Sequence, residues 1–337
     1  KKQILYRNDE SNPASLCSDQ VNVMFIDSKG TLWVGTADGV NVFGGVSGKG
    51  LDRFNPETST FTHFVHSDED PTSLSNDNVI CINEDKNGFL WVGTRTGGLN
   101  KFDTKTGKFK VYTTNEGMQS NFITAIEVDD SNKIWASSFT NGIACLNQET
   151  GELKLFDLSN GLQNLRFNRH GSFQSADGEI FFSGVSGFNS FYPLKLKFNQ
   201  QAPTLLITGI KINNAPYFAD TSIADVRQLE LKYNQSELQF NFAALNFSQT
   251  GKNQYAYQLE GYDKNWSTPG LSRTAKYTNL DPGDYLFKVK ACNNDGVWNE
   301  TGVSIRITIL PPWWKTWWAY IIYFCLISGS IWYYIKW

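Results

Sequence analysis

Nucleophiles, general acids and metal ligands are thinly spread along this chain of 337 residues. It has three histidines (His63, His66 and His170) and five cysteines (Cys17, Cys81, Cys145, Cys292 and Cys325). The cysteines are odd in number, distant from one another and form no C-x-x-C pair, so neither a disulfide framework nor a zinc site is expected. They read instead as small buried hydrophobes. A glycoside hydrolase needs two carboxylates flanking the scissile bond. Asp27, Asp85, Asp103 and Asp177 fall in turns, where side-chain bonds to the backbone account for them. A polysaccharide lyase would group His, Tyr and Arg, and His170 beside Arg166 and Arg169 is the one grouping of that kind. The expectation is no catalysis, no cofactor and no metal, which leaves binding and scaffolding as the roles to weigh.

Composition agrees. With 28 glycines, 15% aromatic and only 19% charged residues the chain is β-rich and turn-rich, which excludes a disordered polymer. A net charge of −3 without a clustered basic stretch argues against nucleic acid as a partner.

The elements that must position any site come from a repeat. DSKGTLWVGT from Asp27, DKNGFLWVGT from Asp85, DSNKIWASS from Asp130 and ADGEIFFSG from Ala176 align on Trp33, Trp91, Trp135 and Phe181, spaced by 58, 44 and 46 residues. Each unit reads as short strands joined by turns, the pattern of one propeller blade. Gly30, Gly88 and Gly178 precede the anchor by three residues, where a tight hairpin needs a positive φ, and Asn132 stands there in the third unit. The anchor aromatic is expected to wedge between blades. Tyr6 precedes Trp33 by 27 residues, as Phe64 precedes Trp91. Residues 1–6 therefore read as the outer strand of a preceding blade, and the four blades as the tail of a larger propeller cut at its front.

Beyond Phe191-Tyr192-Pro193 the repeat stops. From Pro203 to Leu310 about seven alternating strands with Asp-Pro-Gly and Asn-Asp turns fit an immunoglobulin-like sandwich. Trp317 to Ile335 carries no charge over 19 residues, has Trp and Tyr crowded at both ends and is flanked by Lys315 and Lys336, as a membrane span requires. The fold class expected is all-β: a partial propeller over 1–198, a sandwich over 203–310 and a transmembrane helix with aromatic flanks over 313–337.

On these motifs the chain resembles a known family. The D-x-x-G-x-L-W-V-G-T blade resembles two-component regulator propeller repeats. The sandwich, with Tyr255, Tyr257 and Tyr262 in YAYQLEGYDKNW followed by YTNLDPGDY, resembles the Y_Y_Y domain. The joint order resembles that of hybrid two-component sensor histidine kinases of Bacteroides-type bacteria. The resemblance implies a periplasmic sensor of oligosaccharides released from polysaccharides. It also implies a homodimer, an inner-membrane anchor with Lys336 and Trp337 at the cytoplasmic edge, and kinase chemistry outside this stretch. The alternative is a membrane-anchored scaffold or adhesion module.

In a propeller the turns between second and third strands share one face with the blade-to-blade connections. Arg, Asn and aromatic side chains suit sugar hydroxyls and ring faces, so Arg95, Asn141, Arg166, Asn168, Arg169 and Phe188 are the expected ligand contacts. Trp33 to Phe54 spans 21 residues where Trp91 to Phe102 spans 11. The ten extra residues fall in one turn that includes Gly44, Gly45, Gly48 and Gly50, which could close over a sugar.

Overall fold

The computed structural model describes residues 3–37, 48–219 and 222–337. The chain divides into two units, Lys1–Lys197 and Phe198–Trp337.

The first unit consists of antiparallel sheets in chain order. β1 (Val21–Ile26), β2 (Leu32–Thr36), β3 (Leu51–Asn55) and β4 (Thr60–Phe64) form blade 1. β5 (Val79–Glu84), β6 (Leu90–Thr94), β7 (Leu99–Asp103) and β8 (Lys108–Tyr112) form blade 2. β9 (Ile123–Val128), β10 (Ile134–Ser138), β11 (Ile143–Leu146) and β12 (Leu153–Phe156) form blade 3. Blade 4 has three strands, β13 (Phe167–Gln174), β14 (Ile180–Gly184) and β15 (Gly187–Phe191), because Tyr192-Pro193 turns the chain away. Residues 3–6 form no strand. Tyr6 nonetheless packs edge-on against Phe54 and Phe61 at 5.1 and 5.8 Å, as Phe64 does against Phe102 and Phe109 one blade later.

The anchor tryptophans are wedges, as expected. Trp33 meets Phe102 of blade 2 at 5.5 Å, and Trp135 meets Phe191 of blade 4 at 4.7 Å. Each indole N–H donates to an aspartate six residues earlier: Trp33 to Asp27, Trp91 to Asp85 and Trp135 to Asp129, at 2.9, 3.0 and 2.9 Å. The other oxygen of each carboxylate accepts two backbone N–H groups of the hairpin. The repeat's aspartate in the third unit is thus Asp129, not the adjacent Asp130. In blade 4 the anchor is Phe181, which has no N–H, and Ser175 replaces the aspartate, accepting Glu179 N–H at 3.0 Å. Gly35 and Gly93 mark where the next inner strand presses closest. A Cβ on Gly93 would sit 2.5 Å from Cys81 Sγ and 2.7 Å from Ile123 Cγ2.

The second unit stacks two sheets, Ala215–Pro216 with Thr204–Ile212, Leu238–Leu245 and Thr274–Tyr277, and Gln228–Leu231 with Trp298–Ile309, Gly283–Cys292 and Gln254–Glu260. We label these in chain order β16 (Thr204–Ile212), β17 (Ala215–Pro216), β18 (Gln228–Leu231), β19 (Leu238–Leu245), β20 (Gln254–Glu260), β21 (Thr274–Tyr277), β22 (Gly283–Cys292) and β23 (Trp298–Ile309). Alternate residues of each strand face a common apolar core in which Phe240 and Phe287 stack at 4.1 Å. Tyr255 is buried and its hydroxyl accepts Ala244 N–H at 3.2 Å. Tyr277 contacts Tyr257 and Tyr262, and donates to Asp263 at 2.7 Å.

Only one turn separates the sandwich from α1 (Trp317–Lys336), because Trp313–Lys315 form a short 3-10 helix and Thr316 is extended. Leu310 N–H bonds Leu231 C=O at 2.8 Å, Tyr233 meets Trp314 at 5.1 Å, and Trp313 stacks on Trp318 at 6.2 Å. Its 20 residues, at mean hydropathy 1.4, are long and apolar enough to cross a membrane, and little of the helix is covered by protein.

Candidate functional site

One backbone link recurs in all four blades and builds a ring of residue pairs on one face. The residue after each β2-type strand donates its N–H to the residue just before the inner strand: Ala37 to Gln20, Arg95 to Asn78, Phe139 to Phe122 and Val185 to Arg166. The turn itself is closed by the Thr or Ser that ends the strand. Thr94 Oγ1 donates to Gly98 C=O and accepts Gly97 N–H, and Ser138 Oγ does the same with Gly142 and Asn141. Gly98 and Gly142 have φ of +85° and +87°, and a Cβ there would meet an outer-strand carbonyl at 2.3 or 2.2 Å. A shared frame therefore holds side chains that differ from blade to blade.

In blades 2 to 4 those side chains converge. Phe122 and Phe139 stack at 4.9 Å and 20°. The Arg166 guanidinium lies 4.9 Å from the Phe139 ring, and that of Arg169 lies 5.4 Å from Phe122. Burial lowers the Arg169 pKa, and the charge of Arg95, which follows β6 on the same face, lowers it further.

Arg169 is aimed by a bulge in the innermost strand of blade 4. From Gly184 to Phe182 on β14 the partner strand advances from Phe167 to Ser172. Blade 3 covers the matching step with Ile123 to Ile126. Two extra residues are thereby accommodated, His170 takes φ +54°, and Gly171 packs so closely that a Cβ would lie 2.3 Å from Ser183 Oγ. Burial lowers the His170 pKa and the charge of Arg169 adds to it, so the ring is neutral at pH 7.

Of the six residues expected from sequence, Arg166 and Arg169 meet at the aromatic pair, Asn168 lies in the same bulge, and Arg95 follows β6 on the same face. Asn141 is on the Phe139 turn, where its Nδ2 donates to Gln119 C=O. Phe188 lies apart: with Phe173 it flanks Phe181, at 6.1 Å, on the blade face turned away from blade 3. Phe122 and Phe139 were not among the expected contacts, and the excess of 46 over 44 residues between anchors was the unused trace of the bulge. Gly44 and Gly45 of the inserted turn lie outside the described residues. Gly48 is hydrogen-bonded to Asn78 Oδ1.

A second polar grouping, Cys17, Asp52 and His63, brings three possible metal ligands within 4.8 Å. Their donors are already engaged. Asp52 accepts from His63 Nδ1 at 2.6 Å and Cys17 N–H at 2.8 Å, and His63 Nε2 bonds Pro13 C=O at 2.8 Å. Burial and the nearby Asp52 charge push the Cys17 thiol up to about 12, which keeps its proton on and suits it poorly to a metal. This is a structural charge pair.

The comparisons with known proteins agree with this architecture. The two-component regulator propeller family matches residues 15–38 and 73–96, and the Y_Y_Y domain family matches 246–310. The chain is 30% identical over 324 residues to histidine kinase P4 of Formosa agariphila, covering 94% of this chain and 23% of that protein. It is 26% identical, at a TM-score of 0.74, to the extracellular domain of the hybrid two component system BT3049 of B. thetaiotaomicron, covering 92% of this chain and 41% of that one. The chain thus spans less than half the length of either. It carries segments that match two-component regulator propeller repeats and a Y_Y_Y domain, and it is similar to the extracellular domain of a hybrid two component system.

Proposed function

We propose that this chain is the ligand-sensing part of a membrane sensor histidine kinase, and that it recognises polysaccharide-derived oligosaccharides on the ring face of blades 2 to 4. The observation that carries this reading is the Phe122–Phe139 pair with a guanidinium over each ring. The stacked pair backs the two guanidiniums, whose N–H groups meet sugar hydroxyls, while the ring edges meet sugar C–H groups. Asn168 stands beside Arg169 in the bulge, and Asn141 on the Phe139 turn. The signal then passes through the Y_Y_Y sandwich into α1, across the inner membrane and within a homodimer whose sandwiches are periplasmic.

A calorimetric screen of an oligosaccharide library against the chain in lipid nanodiscs tests the site. Binding of at least one oligosaccharide is expected, weakened about tenfold or more by Phe139→Ala and Arg166→Ala. Wild-type affinity in both variants would place the site elsewhere.

A further inference from the structure

The three arginines of the ring face are charged groups without counter-charges. Arg166 and Arg169, both of blade 4, lie over one aromatic pair, and Arg95 follows β6 on the same face in blade 2. Among the described residues, none of the three makes an ion pair. None donates a side-chain hydrogen bond to a protein acceptor either, although other cations here do both. Lys101 bonds Gln148, Arg227 and Arg273 bond backbone carbonyls, and Lys276 pairs with Glu237 at 2.6 Å. The neighbouring carboxylate on the inner strands, Glu127, sits at the opposite end of β9 from Phe122, where it pairs in register with Trp135. Burial raises its pKa, although Asn83 and Ser172 bond it.

Like charges held near one another repel unless an anion joins them, and Arg169 is partly buried beside the exposed Arg166. A chain of net charge −3 nevertheless maintains this patch, and invests a strained His170 and a close-packed Gly171 in presenting it. Planar guanidiniums with free forks are matched to carboxylates and sulfate esters, which accept two parallel N–H bonds.

From this arrangement we infer that the ring-face site takes an acidic oligosaccharide, one carrying carboxylate or sulfate groups, with Arg166 and Arg169 as its anion clamp. This inference rests on the oligosaccharide reading above and narrows it.

The test titrates the full chain in nanodiscs with four probes: oligogalacturonates, sulfated galactan oligomers, uncharged galactan oligomers of equal length, and sodium sulfate. At least one acidic set should bind, more tightly than the neutral oligomers and sulfate. The double variant R166A/R169A should weaken it about tenfold or more, R169K should retain part of the affinity, and added salt should weaken binding in the wild type more than in the double variant. Without ligand, the double variant should melt at or above the wild-type temperature, since repulsion is relieved. A fall of several degrees would show that the arginines are structural and overturn the clamp. Neutral oligomers binding equally well, with arginine variants unaffected, would overturn the acidic inference and leave the oligosaccharide reading standing. Binding of sulfate alone as tightly as of the acidic oligomers would remove the sugar from the inference. Binding by none of the probes would overturn it outright.

Discussion

At the scale of single residues the propeller depends on a buried three-way contact. Trp91 is fully buried, its N–H is taken by Asp85, and Asp85 holds the hairpin through its other oxygen. Trp91→Phe should cost about 1–3 kcal/mol, because the carboxylate oxygen loses its donor in a dry site. Adding Asp85→Ser recreates the Ser175/Phe181 pairing of blade 4, so the double variant should be more stable than the sum of the single losses, a coupling readable from denaturant unfolding. His63 gives a pH signature. Burial works against its charged form, but the bonds to Asp52 and Pro13 and the Asp52 charge prevail and raise its pKa. A raised folded-state value contributes stability that is full below about pH 6.5 and is lost as pH rises through that raised value. The melting temperature should therefore fall as pH rises above about 6.5, and fall less in His63→Gln. His66, raised chiefly by the Leu74 carbonyl, keeps a residual slope of the same sign. The anchors were legible because they recur. Phe122 and Phe139 were not, because alignment of repeats reads what the blades share, and the ring positions are where they differ.

At the scale of elements, glycines at equivalent depth serve different ends. Gly93 lets β6 press against Cys81 and Ile123 of neighbouring inner strands, so Gly93→Ala should destabilise the chain by about 1–3 kcal/mol through overpacking. Gly171 lies in the bulge of β13, against Ser183 and the Asn168 carbonyl. Gly171→Ala should displace Asn168 to His170 and reduce ligand affinity by a larger factor than it reduces stability, as calorimetry and melting on the same sample would show. Strand order within each blade was readable from the alternation and the turn residues. The bulge was present in the sequence only as two additional residues, and spacing alone assigns an insertion to no particular strand. Blade 4 stops at three strands where Tyr192 leads into the 3-10 turn Pro193–Lys195.

At the scale of the whole chain, the propeller family matches segments of the first unit and the Y_Y_Y family a segment of the second, which also carries one apolar helix. In the second unit, Leu310 is bonded to β18, Tyr233 packs on Trp314, and a single 3-10 turn intervenes before α1. So short and so aromatic a junction does not behave as a free linker. Movement of the sandwich should be delivered to the helix. Whether this chain senses an oligosaccharide and drives its helix is read by fusing it after Trp337 to a histidine-kinase core. Autophosphorylation is then measured in nanodiscs with the oligosaccharide found by calorimetry, with and without a flexible Gly/Ser insertion after Leu310. A ligand-dependent change in autophosphorylation is expected, which the insertion abolishes while binding persists. Binding without any change in kinase output, or the same change with the insertion in place, would contradict that reading.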